Sequence, residues 1–165
     1  MVVRWHGAVL PVKSAYKFTK RQHSLLRKET EMADKQAITE LLNKGGWAYD
    51  TPDVEFLADM FTEDGKFDLQ IQKNDVINFS GRANIRSLYE NSLATQTDQR
   101  RHVVTNLFFS DEKDNSITAT SYLILIAVAE GKLNVLSTGV YTDKVVKDGN
   151  SWRIKHRFLY LDLPY

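Results

Sequence analysis

Ala37, Ile38, Leu41 and Leu42 recur at helical spacing, with Asp34 placed to cap the start, and predict an amphipathic helix running into Tyr49. Gly45-Gly46 is expected to weaken its end. Thr51 as N-cap and Pro52 as first helical residue predict a second helix, with Val54, Leu57, Ala58 and Phe61 as its apolar stripe. Glu63-Asp64-Gly65 reads as a turn; Phe67, Leu69 and Ile71 then alternate as one face of a strand, and residues 74–80 read as loop or a short second strand. Gly81 opens a third helical stretch, with Ile85, Leu88, Tyr89 and Leu93 on one side.

From Arg101 onward the pattern is strand after strand. In Arg101 to Phe109, His102, Val104, Asn106 and Phe108 are expected to share one face, and Val103, Thr105, Leu107 and Phe109 the other. Ile117 to Ala129 is apolar on both faces, as a central strand would be. Glu130-Gly131-Lys132 turns into Leu133 to Val146, and residues 147–150 turn into Trp152 to Leu161. Helices first and antiparallel strands afterwards predict an α+β domain, a curved sheet folded around its helices.

Composition adds limits. A chain of 165 residues suits one domain with a real core. No apolar run approaches the roughly 20 residues that span a bilayer, so no membrane partner is expected. With no cysteine, disulfides, thiolate metal ligands and a cysteine nucleophile are excluded. Charge is uneven: residues 1–31 carry seven Lys/Arg and two acids, and the remainder has an excess of acids. This basic arm fits an organelle transit peptide in composition, and Met32 offers an alternative start. Nucleic-acid binding by the arm would need a motif it lacks, so none is expected. The domain proper is taken as 32–165, cytoplasmic unless the arm directs import into an organelle.

Candidate chemistry centres on Asp50, at a corner between helices where a carboxylate can face a cavity; a plain alternative is that Asp50 and Asp53 only cap and solvate the turn. Strand residue His102 is the candidate base. An imidazole titrates near pH 6.5, and a carboxylate beside one nitrogen fixes the tautomer and stabilises the imidazolium formed on proton abstraction. His156, between Arg153 and Arg157, reads as structural or at an edge. No His/Asp/Glu cluster presents three metal ligands, which disfavours a metal or heme site.

Three local motifs carry a resemblance. Tyr49-Asp50-Thr51-Pro52-Asp53 resembles the Tyr-Asp-x-x-Asp corner of scytalone dehydratase. His102-Val103-Val104-Thr105-Asn106 resembles the His-x-x-Thr-Asn strand of lindane dehydrochlorinase. Val140-Tyr141-Thr142-Asp143-Lys144, followed by Asp148-Gly149 and Trp152-Arg153, resembles a hairpin of bile acid 7α-dehydratase. With the order of elements, they make residues 34–160 similar to the SnoaL-like group of the nuclear transport factor 2-like superfamily, a cone-shaped α+β fold.

The resemblance implies an Asp50–His102 dyad inside the cone, with Tyr49 beside it, performing elimination, isomerisation or cyclisation without metal or organic cofactor. A hydrophobic carbonyl substrate is expected in such a cone, with Phe67, Leu69, Val104, Phe108, Tyr122, Leu123, Leu125, Tyr141 and Phe158 as lining. Tyr122 and Tyr141, with Tyr49, are the candidate general acids. The chain departs from its models: Leu69 replaces a strand tyrosine, Leu125 stands near an acidic position, Gly45 replaces a helix tyrosine and Val128 falls near a second histidine. A non-catalytic relative, a ligand-binding or scaffold module like a dioxygenase small subunit, is the competing expectation. Under either, a homo-dimer or homo-trimer through the open sheet face is expected.

Overall fold

The computed structural model describes residues 32–165; the transit-peptide and nucleic-acid readings of the arm fall on residues outside these. Helix α1 spans Lys35–Asp50, with the Asp34 carboxylate accepting from the Ala37 N–H at 2.9 Å, as the sequence predicts. Gly45 and Gly46 do not end it. A Cβ on Gly46 would stand 2.9 Å from the His102 carbonyl oxygen, and one on Gly45 would meet the Met60 thioether at 2.5 Å. The two glycines let the helix lie against its neighbours, and that packing offsets their low helix propensity.

Helix α2 spans Val54–Asp59 and is capped by Asp53, whose carboxylate accepts from the Phe56 N–H. The expected cap, Thr51, instead closes α1: its backbone N–H and its hydroxyl both donate to the Trp47 carbonyl. Strand β1 (Phe61–Ile71) contains the expected turn Glu63-Asp64-Gly65 as an irregularity in its pairing between Phe61 and Lys66. Short strand β2 (Ile77–Ser80) and helix α3 (Arg82–Ala94) follow. Then come β3 (Gln99–Lys113), β4 (Ser116–Ala129), β5 (Lys132–Asp148) and β6 (Ser151–Leu161).

The six strands form one mixed sheet in the order β2-β1-β6-β5-β4-β3, antiparallel except that β1 runs parallel to β6. The first long strand thus pairs with the last. The core lies between the inner sheet face and the helices, where Ile38, Leu42, Leu57, Ile85, Ile117, Val145 and Ile154 are buried.

Of the register shifts in the sheet, two decide which side chains point inward near His102 and Arg157. In β3, Thr105 pairs with Tyr122 and Phe108 with Thr120, so β3 carries one residue more than β4 there, and Asn106 takes a left-handed φ of 54°. His102 and Val104 face the helices, but beyond the bulge Leu107 and Phe109 do, and Phe108 turns out, 57% exposed. In β6, Lys155 is the extra residue between Ile154 and His156. Arg157 and Leu159 therefore point inward and Phe158 does not.

Candidate functional site

At residue 102 helix α1 meets the edge of the sheet. Among the described residues β3 is an end strand, so alternate backbone N–H groups along its outer edge have no strand partner there. The His102 N–H is satisfied by Asp50, the last residue of α1, whose two carboxylate oxygens each stand 3.1 Å away. The same carboxylate reaches the His102 ring, with Oδ1 2.7 Å from Nδ1. Gly46, one turn earlier, lies against the His102 carbonyl. One helix end thus holds both the backbone and the ring of the histidine.

Only 5% of the His102 side chain and 9% of that of Asp50 reach solvent, so water does little to weaken the pair. Because a carboxylate oxygen accepts, the contact suits the tautomer with the proton on Nδ1 and a lone pair on Nε2. The Tyr49 ring packs on the imidazole, with centroids 4.2 Å apart and planes at 36°. Its hydroxyl donates to Ser92 Oγ on α3 at 2.5 Å. Burial pushes the Tyr49 phenol well above its ordinary range, outweighing the Ser92 hydrogen bond that acts the other way.

Tyr49 and His102 border a cavity of about 130 Å³ between helices and sheet. Its wall is apolar along Leu42, Leu57, Phe67, Leu69, Leu88, Val104, Leu123 and Leu159, with Tyr89, Tyr141, Ser121 and Tyr165 as further members. It also contains a charged pair, Asp143 and Arg157. Arg157 donates from Nε to Asp143 Oδ1 at 2.7 Å and from Nη2 to Oδ2 at 2.8 Å, with both side chains buried. The guanidinium stands 4.4 Å from the centre of the Tyr141 ring. Burial works against its charge, but Asp143 outweighs this and keeps Arg157 firmly protonated. A guanidinium has five N–H donors and Asp143 engages two of its nitrogens, so Nη1 keeps donors outside the pair. Burial likewise raises the phenols of Tyr89 and Tyr141.

The structure brings together Asp50, His102, Tyr49, Phe67, Leu69, Val104 and Tyr141. It separates four expected lining residues from them. Phe108 and Phe158 are displaced by the two bulges, and Tyr122 is 53% exposed on the outer sheet face. Leu125 is fully buried, opposite His102 in the pairing of β3 with β4, but does not border the cavity. Sequence reasoning missed Arg157, which an uninterrupted alternation in β6 would turn outward. Asp143 was visible only as part of a hairpin motif; a buried acid one strand from an arginine is the signal that marks it. His156 pairs with Asp68 at 2.8 Å, away from the cavity. Among the described residues no group of three or more His, Asp or Glu side chains is arranged to share a metal ion.

A family model of the SnoaL-like domain matches residues 30–158. The chain belongs to the SnoaL-like domain family. Solved structures agree on the fold. An NTF2-like protein with a cystatin-like fold from Novosphingobium aromaticivorans is 19% identical, with a TM-score of 0.69 over 87% of this chain and 90% of that one. ActVI-ORFA from Streptomyces coelicolor is 24% identical, with a TM-score of 0.67 over 77% and 96%. The beta subunit of a putative aromatic-ring-hydroxylating dioxygenase from Novosphingobium aromaticivorans is 14% identical, with a TM-score of 0.70 over 85% and 94%. No curated protein matches the sequence. This SnoaL-like domain is thus a curved mixed sheet with its helices packed on the inner face, and the dyad and the Asp143–Arg157 pair belong to that inner side.

Proposed function

We infer that this SnoaL-like protein is a cofactor-independent lyase or isomerase acting on a small hydrophobic carbonyl compound. The observation that carries the reading is the 2.7 Å contact between Asp50 and the His102 ring at the wall of a largely apolar cavity. His102 Nε2 takes a proton from the carbon beside the carbonyl, and the electron pair of that C–H bond moves onto the carbonyl oxygen as an enolate. Asp50 stabilises the imidazolium; Arg157, with the neutral phenol of Tyr141 beside it, supplies positive charge and donors toward the oxygen. The enolate then either expels a leaving group from the next carbon, which receives the proton from His102, or accepts that proton at another carbon. The first outcome is elimination and the second isomerisation.

A binding or scaffold role is the second reading, and Leu69, an apolar wall residue where the dehydratases carry a tyrosine, is the observation that favours it. Proton exchange separates the two. In D2O, single-ring ketones such as cyclohexanone should exchange the hydrogens beside the carbonyl faster with protein than without, followed by NMR, and His102→Asn should abolish the excess. Equal exchange with the variant and the parent sinks the catalytic reading. Self-association through the outer sheet face is part of the same proposal, since Val103, Phe108, Tyr122, Leu133 and Val135 are exposed there on adjacent strands.

A further inference from the structure

The segment after β6 is tied back onto the domain. The Asp162 N–H donates to the Thr138 carbonyl at 2.9 Å, the Thr138 hydroxyl donates to Asp162 Oδ2 at 2.5 Å, and the Ser137 hydroxyl donates to the Leu163 carbonyl at 2.7 Å. Three anchors within two residues leave little freedom in the path that follows. That path brings Tyr165 to the cavity, where it forms part of the wall. The Arg100 guanidinium lies over its ring, 5.1 Å from the centroid, and Arg100 is itself fixed by Asp98, with Nε 2.9 Å from Oδ1. Tyr165 still keeps 54% of its surface in solvent. It therefore sits at the boundary between cavity and water, not in the depth of the core.

Size decides what such a ring does. A cavity of about 130 Å³ belongs to the class of an apolar protein cavity of about 150 Å³ that admits benzene, one aromatic ring. Leu42, Leu123 and Leu159 belong to packed elements and cannot withdraw without disturbing the core. Tyr165 lies outside that packed core, held in place by the anchors of its segment and the Arg100 contact, so loss of its ring would widen the site without disturbing the core. It is thus the wall member whose position sets the width of the site.

We propose that Tyr165 is the size-selecting residue of this site, restricting it to single-ring or short-chain carbonyl compounds and turning away fused rings. The inference rests on the cavity being the substrate site, not on the proton transfer itself. A matched pair of probes tests it: 4-hydroxyacetophenone, with one ring, and 6-acetyl-2-naphthol, with two, share the ketone and the hydroxyl. Dissociation constants come from calorimetric titration. The parent protein should prefer the one-ring probe by about tenfold or more, the scale at which a filled pocket rejects extra carbon. Tyr165→Ala should remove that preference by tightening the two-ring probe, while Tyr165→Phe, which keeps the ring under Arg100, should retain it.

The role is overturned if Tyr165→Ala leaves the ratio unchanged, if it weakens both probes by the same factor, or if the parent binds neither probe. Thermal melts of each variant show whether the fold is intact, and if Tyr165→Ala does not fold, Tyr165→Leu, which removes the ring but keeps an apolar side chain, supplies the reading: it should narrow the preference, and an unchanged ratio overturns the role. The catalytic reading fails separately: a parent that selects by size yet exchanges no protons sinks the lyase or isomerase role and leaves Tyr165 in place. Exchange that is intact while the ratio ignores Tyr165 does the reverse.

Discussion

Asp50 does two jobs with one carboxylate, and its replacement separates them. In Asp50→Asn the amide oxygen can still accept from the His102 N–H, but the amide nitrogen is a donor and would select the tautomer with the proton on Nε2. The base then has no lone pair to offer. Turnover should fall about 10³- to 10⁴-fold, the scale seen when a carboxylate that orients a catalytic histidine is made neutral. Melting temperature should fall far less, and a stopped-flow or NMR rate beside a thermal scan checks both. Tyr49 makes a second test at this scale. Its hydroxyl is committed to Ser92 and its ring to His102, so Tyr49→Phe should cost less than about tenfold in rate, below the usual range for removing a general acid. Tyr49→Ala, which also removes the ring packed on the imidazole, should cost more. A larger loss in Tyr49→Phe would make Tyr49 the proton donor.

At the scale of elements, the contact between α1 and β3 invites a substitution that propensity alone would call stabilising. Gly46→Ala gains up to about 1 kcal/mol of helix propensity, yet its Cβ would press on the backbone of His102. Overpacking of that kind costs about 1–3 kcal/mol, so the denaturation midpoint should drop and activity with it. Gly45→Ala meets only the flexible end of Met60 and should be milder. The same helix shows why its end was misjudged from sequence: two adjacent glycines look like a stop signal when nothing reveals that a strand lies against them. The existence of the helices and strands was legible because their apolar residues keep periods near 3.6 and 2. The faces of Phe108, Arg157 and Phe158 were not, because an extra residue between Thr105 and Phe108 in β3 and Lys155 in β6 invert the alternation there without changing composition. Asn106, a residue type that tolerates a left-handed φ, was the single local hint in β3. The contact between Asp50 and His102 is the part that two motifs made legible, His102 lying before the β3 bulge, where the simple alternation still holds.

For the molecule as a whole, charge placement sets the acid limit. The Asp68 carboxyl is pushed up by burial, but hydrogen bonds from Asn78 and His156 win and hold it below the usual carboxylate range. Hydrogen bonds from Lys35 and from the Ala33 N–H do the same for Glu112. A depressed folded-state pKa gives stability that is full above the unfolded value, about 3.9 for Asp, and is lost as pH falls through the folded one. Melting temperature should therefore decline as pH drops below about 4, and Asp68→Asn should flatten that decline; equal slopes for parent and variant would contradict it. The Asp143–Arg157 pair behaves differently, being buried. Removing only the carboxylate in Asp143→Ala leaves a guanidinium unpaired in the core and should cost about 3–5 kcal/mol, measured by urea unfolding. Outside, Tyr122→Glu should reduce the mass found by light scattering if a second copy covers that face, and leave it unchanged if none does. Among the described residues no helix is long and apolar enough to cross a membrane.

The pairing of β1 with β6 has a consequence for how the molecule comes into being. A ribosome that has released the chain only as far as β5 has made both members of the dyad, yet β1 still lacks the strand that joins it to the rest of the sheet, and Asp143 lacks its guanidinium. The hollow beside His102 comes into existence only when β6 has been made, in one closing event that joins β1 to the rest of the sheet. Contacts so distant along the chain form slowly. A nascent chain stalled before Ser151 should remain open to protease, and release of the final strand should convert it to a resistant form in a single step.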